Sequence, residues 1–424
     1  MHGGVLCLSL PCIIWHQVPW RSLSLHAAAS PEAEAAVLDI FFFQLHCMTS
    51  VHLCGLAKSF GVQTVIENLD LAIASGAYVV LLGPSGCGKT TTLRMLAGLD
   101  VPATGKVFMD GSDVTRIPPR KRDVAMVFQN DGLYPHLTVE QAIRLSLRGR
   151  CAKSEQQSRF SDAVRLTGVE MLLGKLPRQL SGGELRRAAL TVSVAKKTSV
   201  RLLDEPLSGL DGAVRQQLQA DILQWHQAVP GTTIHVTHDG GEAMRMADQI
   251  AVMSGGCISQ IGTPAQVYDQ PQTIAVAKAI GIPVMNWLQA DLIGGLIQTS
   301  NPLEVCVGSG VRVDSADEAI VIGVRPTALR LARDVGEDVR GLGISFNTMM
   351  QACRPVKDTS ECAFQVDDQS FIAVFDRRGQ SHDQSSASCL ASFVGKNVAL
   401  WAPAASIHVF SRSTGQRLKL CDVG

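Results

Sequence analysis

Apolar residues along this chain gather in short runs separated by turn-forming residues. Tyr78 to Leu82 is an unbroken apolar run, which reads as a buried strand, and Thr90 to Leu99 behind it spaces its apolar residues as a helix does. Upstream, Val51 to Leu56 and the alternating Val65 to Ile73 predict strands, with Gly61 as the turn and Phe60 placed in it. Downstream, Thr104 to Met109 and Ala125 to Phe128 predict strands on either side of the turn-rich stretch Asp110 to Arg122. Val139 to about Leu176 reads as mainly helical, with breaks at Gly168 and Gly174, and Leu185 to Ala195 as a further helix. Val200 to Leu203 and Ile234 to Val236 read as two more strands.

At 424 residues the chain is too long for one ordinary core, so two or three domains are expected. An apolar content of 46% with 18% charged residues describes a folded protein. Thirty-eight basic residues balance 38 acidic ones, which gives no reason to expect nucleic acid as a partner. The 12 cysteines are scattered without a CxxC pair, so they read as buried free thiols in a reducing cytosol. The first 47 residues differ from the rest. Val5 to Trp15 is broken by Pro11 and is shorter than the roughly 18 residues of a membrane span. No Lys or Arg precedes Arg21, so the basic head of a secretory signal is missing. Residues 1–47 are read as an extension that is poorly ordered or not part of the natural product.

The candidate chemistry centres on Gly83, Pro84, Ser85, Gly86, Cys87, Gly88, Lys89, Thr90 and Thr91, which fit the pattern G-x-x-x-x-G-K-[ST] between a strand and a helix. Glycines let backbone N–H groups turn inward toward phosphate oxygens, and the helix N-terminus adds its partial positive charge. Lys89 would hold the β- and γ-phosphates and Thr90 would ligate Mg²⁺; the bland alternative is a glycine turn that binds nothing. Ser181, Gly182, Gly183 and Glu184 stand at a helix start, a second place where N–H groups meet an anion. Asp204 and Glu205 end an apolar strand, where one carboxylate can serve Mg²⁺ and the other an attacking water; a lone Asp-Glu pair is otherwise a solvated loop. His238 follows the strand Ile234 to Val236 and, taken alone, reads more often as structural.

The order of these motifs carries more than any one of them. The phosphate loop, VFQ with Gln129, LSGGE with Ser181, LLDEP with Asp204 and Glu205, SGLD with Asp211 and VTHD with His238 together resemble the nucleotide-binding subunit of an ATP-binding cassette (ABC) transporter. VFQNDGLYPHLTV, EAMRMADQIAVM and IGTPAQVYDQP resemble the sugar and glycerol-phosphate importers, and IGVRP with Arg325 and Pro326 resembles their appended barrel domain. The resemblance implies an α/β fold: a P-loop nucleotide-binding domain over 48–282 with a helical subdomain at about 130–190, followed by a C-terminal all-β, OB-like barrel over 283–424. It implies ATP and Mg²⁺ as cofactors, a head-to-tail homodimer, two integral membrane permease subunits, an indirect link to a substrate-binding protein, and a peripheral place on the cytoplasmic face of the inner membrane. Phe60 would stack on adenine, and Gln129 would touch Mg²⁺ and the attacking water. Ser181 to Gly183 would cover the ATP of the other copy, and Asp211 would couple the two sites. Glu205 would be the general base and His238 would contact the γ-phosphate.

Four positions depart from the family pattern. Glu184 stands where Gln is usual, as an acceptor toward the ribose. Arg201 lies in a strand expected to be apolar, Leu190 to Thr198 lacks the usual Ala-Arg-Ala run, and Thr327 replaces an acidic residue. Read as an unpaired buried charge, Arg201 should be dispensable, with Arg201→Leu raising stability by about 1 to 4 kcal/mol. The competing functions are the same engine serving polyamines, iron or another small ion, a cassette ATPase acting on DNA or ribosomes, and a regulatory subunit that binds ATP without turnover. Family-like sequence starts at Met48, so a chain beginning there should bind nucleotide and assemble with membrane subunits as the full chain does. Loss of either on truncation would assign the extension a function.

Overall fold

The computed structural model describes residues 49–128, 133–281, 283–299, 305–307, 313, 315–316, 318–334, 343–366, 369–376 and 390–420. Residues 1–47, read above as an extension, and Gln129 lie outside them.

A six-stranded sheet forms the centre of the first part, in the order Cys257–Gly262, Gln249–Ser254, Tyr78–Leu82, Thr232–Thr237, Val200–Asp204, Val124–Val127. Its first strand is an antiparallel edge and the other five run parallel. Tyr78–Leu82, Val200–Asp204 and Thr232–Thr237 are buried at every residue. Parallel strands covered on both faces favour continuous apolar runs, which Tyr78–Leu82 carries, whereas the other two also bury Arg201, Asp204, Thr232, Thr233, His235 and Thr237. Side chains alternate between two cores. Tyr78, Val80 and Leu82 face the helices Val139–Leu147, Lys153–Thr167 and Gly212–Ala228 through Ile143, Phe160 and Trp225. Val79 and Leu81 face Leu93 and Leu96 of the helix Lys89–Ala97 and, beyond it, Leu53, Ile66 and Val107 of a four-stranded antiparallel sheet.

Three expectations about elements shift. Val51 to Leu56 extends to Phe60, which ends a strand instead of sitting in the turn. The stretch after Val139 is two helices, parted at Arg148–Ala152 around Gly149, whose φ is +75°. Gly168 ends the second of them with φ +62°, as expected, and Gly174 interrupts no helix because the second helix has already ended at Thr167.

The chain from Asn286 onward is β-rich. One sheet has the order Leu296–Thr299, Asn286–Ile293, Glu318–Val324, Ile407–Ser411, Arg417–Leu418, and a second is built on Gly343–Val356, Thr359–Val366, Gln369–Asp376 and Asn397–Pro403. Both close on one core that includes Ile320, Ile322, Phe346, Phe364, Phe371 and Val409. Arg325 of IGVRP joins this region to the first. It is 3% exposed, donates to the carbonyls of Ile280 (2.7 Å) and Tyr268 (3.0 Å), and stacks at 4.1 Å over the Tyr268 ring. Thr327, the departure beside it, lies 3.3 Å from the Tyr268 hydroxyl. Among the described residues no helix is long and apolar enough to cross a bilayer. Cys54, Cys87, Cys151, Cys257, Cys353 and Cys362 are free, as expected, but not all are buried: Cys54 is exposed.

Arg201 corrects the reading of an unpaired charge. It is buried, yet its guanidinium donates to Val229 O (2.8 Å), Gly231 O (3.0 Å) and Thr233 Oγ1 (3.2 Å) and lies 3.3 Å from His226 Nδ1. Val229 caps the C-terminal end of the helix Gly212–Ala228, where outward carbonyls and the helix dipole favour a cation. Burial pushes the guanidinium down to about 10, still charged at neutral pH. Arg201→Leu should therefore lower stability, by about 1 to 3 kcal/mol for each buried carbonyl left without a donor. Urea unfolding of the two proteins decides it, and a rise in midpoint would restore the earlier expectation.

Burial also keeps histidines neutral. His226 is pushed down to about 4, by burial first and Arg201 second, and His235 and His408 to about 3, by burial above all. In an unfolded chain each ring takes its proton near about 6.5. Between about pH 6.5 and 5 the unfolded state thus binds protons that the folded state refuses. The histidine contribution is fully present above about pH 6.5 and is lost progressively as pH falls toward the folded values of about 4 and 3, at up to about 1.4 kcal/mol per pH unit for each of the deeply buried His235 and His408 once the unfolded ring is charged. Unfolding midpoints at about pH 7.5, 6 and 5 check the slope; a flat profile would contradict it.

Candidate functional site

The phosphate loop leaves the buried strand Tyr78–Leu82 and enters the helix Lys89–Ala97. Gly88 caps that helix at φ +105°, and a Cβ there would meet Ile66 Cγ1 at 3.0 Å and Val65 O at 3.1 Å. A Cβ on Gly83 would lie 2.4 Å from Met253 O. Both positions therefore need glycine. No side chain caps the helix and no acidic residue occupies its first turn, so its first N–H groups keep their capacity to bind an anion. Pro84, Ser85, Gly86 and Thr90 are exposed along the loop, while Cys87 and Lys89 are buried and Thr91 is half-buried.

Lys89 folds back over the loop. Its Nζ donates to Gly83 O at 2.8 Å and to Pro84 O at 2.9 Å, with Cys87 Sγ at 4.0 Å. Thr90 Oγ1 donates to Asp204 Oδ1 at 3.0 Å. Asp204 is 3% exposed, and burial raises its carboxyl above the usual range against the pull of the Thr90 bond. A hydroxyl beside one buried carboxylate is a donor pair suited to a hard divalent cation that takes its remaining ligands from phosphate oxygens and water.

Glu205 follows with φ +45°, a left-handed backbone that side chains other than glycine's adopt at a cost of roughly 1 to 2 kcal/mol. The fold imposes it. The Glu205 N–H bonds Val236 O in the neighbouring strand at 3.0 Å, and its carbonyl accepts from Ser208 N (3.2 Å) and Ser208 Oγ (3.0 Å). The side chain then reaches the end of the strand Thr232–Thr237, with Oε1 3.3 Å from His238 Nδ1. His238 is half exposed and Glu205 mostly covered.

Ser181, Gly182, Gly183 and Glu184 open the helix Gly182–Ala195. Its carboxylate turns back on its own helix, accepting from Ser181 N (2.8 Å), Ser181 Oγ (2.9 Å) and Lys175 Nζ (3.1 Å). These bonds, the Ser181 amide first, hold it down at about 2. An anion at a helix start completes a capping box. Asp211 caps the helix Gly212–Ala228 through Val214 N at 3.0 Å. Phe60 is exposed at the end of its strand, with Lys58 Nζ 5.2 Å from the ring centre.

The fold thus brings Lys89, Thr90, Asp204, Glu205 and His238 to one end of the central sheet. Ser181 to Glu184, Asp211 and Phe60 are bonded within their own neighbourhoods. Arg186 escaped the sequence reading: it donates to Phe128 O at 3.1 Å and so ties the Ser181 helix to the residue before Gln129. Only its place two residues past the LSGGE run could have signalled it.

The ABC transporter family matches residues 66–208. The chain is 35% identical over 373 residues to the sn-glycerol-3-phosphate import ATP-binding protein UgpC 2 of Rhizobium johnstonii, an alignment covering 87% of this chain and 99% of that one. It is 41% identical over 283 residues to the sulfoquinovosyl glycerol transport ATP-binding protein SmoE of Agrobacterium fabrum, covering 66% and 79%. A solved dimeric ATP-binding cassette in a post-hydrolysis state, bound to ADP and phosphate, matches at 26% identity with a TM-score of 0.45, over 50% of this chain and 98% of that one.

Proposed function

The chain belongs to the ABC transporter family, and on that premise we propose that it is the ATP-hydrolysing subunit of an importer, energising uptake of a carbohydrate, polyol or glycerol phosphate through separate membrane subunits. The observation that carries this reading is the row of groups at the strand ends: a lysine on the phosphate loop, a hydroxyl beside a buried carboxylate, and a carboxylate beside an imidazole. The substrate class follows the relatives, one named for glycerol-3-phosphate and one for sulfoquinovosyl glycerol.

Lys89 Nζ donates to two neutral carbonyls. Phosphate oxygens are charged acceptors and make bonds roughly twice as strong, so ATP draws Lys89 off the loop. Thr90 and Asp204, with Gln129, would hold Mg²⁺, which supplies charge to offset that of the transferring phosphoryl group. Glu205 accepts the proton of the attacking water. His238, beside Glu205 Oε1, steadies that carboxylate and contacts the γ-phosphate. Phe60 stacks on adenine. Ser181, Gly182 and Gly183 of a second copy cover the nucleotide, and Asp211 couples the paired sites, so hydrolysis waits on closure of the dimer.

The permease subunits are the membrane partners, which places the protein on the cytoplasmic face of the inner membrane with a substrate-binding protein acting through them. A groove of about 350 Å³ beside Phe128 supports this, because Phe128, Tyr134 and Leu145 on its wall are exposed apolar side chains next to the Gln129 segment. A partner there would feel the nucleotide site through the chain itself.

Two substitutions test the reading. Glu205→Gln keeps size and hydrogen bonding but removes the base, so turnover should fall by about 10² to 10⁴ while ATP binding and ATP-driven dimerisation survive. Lys89→Ala should weaken binding and closure together. ATP affinity, turnover and dimerisation of both proteins, measured with membrane partners present, check this. Wild-type turnover in Glu205→Gln would remove Glu205 as the base. A wild-type protein that binds ATP without turnover would make the chain a regulatory subunit.

A further inference from the structure

The strands Gly343–Val356 and Thr359–Val366 form a hairpin joined by Lys357 and Asp358, with Lys357 at φ +52°. Its register is fixed from the turn inward: Val356 faces Thr359, Pro355 faces Ser360, and Arg354 faces Glu361 with an ion pair at 3.0 Å. The next pair is Cys353 opposite Cys362, with their sulfurs 2.8 Å apart. Directly opposed residues of an antiparallel pair have Cα atoms about 4.5 to 5.5 Å apart, inside the span of about 4.4 to 6.8 Å that a disulfide bridges. The register and the sulfur separation place the pair within bridging reach.

The two thiols differ in access. Cys362 is buried in the β-rich core, facing Ala373 of the next strand. Cys353 is half-buried, on a stretch of its strand beyond Met349, where pairing with Asn397–Pro403 ends and no other strand among the described residues pairs on that side. A small molecule in solution can therefore meet Cys353 and not Cys362.

We propose that Cys353 and Cys362 are a redox-modification site, closing to a cross-strand disulfide by exchange with a low-molecular-weight disulfide and reopening with thiol reductants. The Cys353 thiolate attacks one sulfur of the small disulfide RSSR, forming a mixed disulfide and releasing RSH. Cys362 then gives up its proton and attacks Cys353 Sγ, displacing the second RSH. Two protein thiols are oxidised and one RSSR is reduced to two RSH. Burial pushes the Cys362 thiol up, which keeps it protonated and leaves the first attack to Cys353. The closed bond fixes the hairpin beside the strand Gln369–Asp376. Ile372 of that strand exchanges two 2.8 Å hydrogen bonds with the side chain of Asn286, the first residue of the β-rich region's opening strand.

The inference stands apart from the ATPase reading. To test it, the reduced full chain is incubated with glutathione disulfide, its remaining thiols are alkylated, and its peptides are mapped by mass with and without dithiothreitol. The expected result is one linked pair of peptides carrying Cys353 and Cys362, lighter by two hydrogens and separated by the reductant. Cys353→Ala should lack the pair, and Cys362→Ala should instead trap glutathione on Cys353. A wild-type protein in which exposed Cys54 reacts while Cys353 and Cys362 are both recovered alkylated would overturn the proposal. So would glutathione retained on Cys353, or Cys353 linked to any other cysteine.

Discussion

A parallel ladder delivers the carboxyl ends of its strands to one edge, and the rest of this site depends on that geometry. Leu82 is in register with Thr237, and Asp204 with Val236. The residues that follow these strand ends are the phosphate loop, Glu205 and His238, so groups more than 100 positions apart in sequence, such as Thr90 and Asp204, come within a hydrogen bond. None of these side chains is placed by its own local structure alone. Each depends on strands buried on both faces, and that burial is supplied by helices on one side and an antiparallel sheet on the other.

Two buried arginines use one device at distant points. Arg201 and Arg325 both donate to backbone carbonyls near helix ends, Arg201 at Val229 and Gly231, Arg325 at Tyr268 and Ile280. A guanidinium carries five donors in a rigid fork and can satisfy several carbonyls that water cannot reach. In this role the charge fastens irregular backbone, and no carboxylate is needed. The same logic makes a lysine or an apolar residue a poor substitute at either position.

The phosphate loop was legible because its chemistry is local: glycine at positions that tolerate no Cβ, then lysine and a hydroxyl at a helix start. The central strands were legible because burial on both faces favours apolar residues, as in Tyr78–Leu82 and at Leu202, Leu203, Ile234 and Val236. Arg201 was misread for the opposite reason, since its partners at 226, 229, 231 and 233 lie on the next helix end and strand, and spacing along one strand cannot show them. The capping box of Glu184 was not legible because a ribose acceptor and a capping-box carboxylate call for the same residue type at the same place; Lys175 and the direction of the side chain reveal it. The cysteines looked scattered because a pair nine positions apart has no motif until the two-residue turn folds it face to face.

The left-handed backbone at Glu205 has a consequence for how this protein can change. The strain belongs to the position and is held by bonds from Val236 and Ser208, so it persists whatever side chain is present, and glycine alone would relieve it. Glycine would also remove the carboxylate. A search for more heat-resistant variants that scored folding alone would therefore be drawn toward loss of the carboxylate proposed as the base, so selection for folding and selection for that proposed role pull against each other at one position.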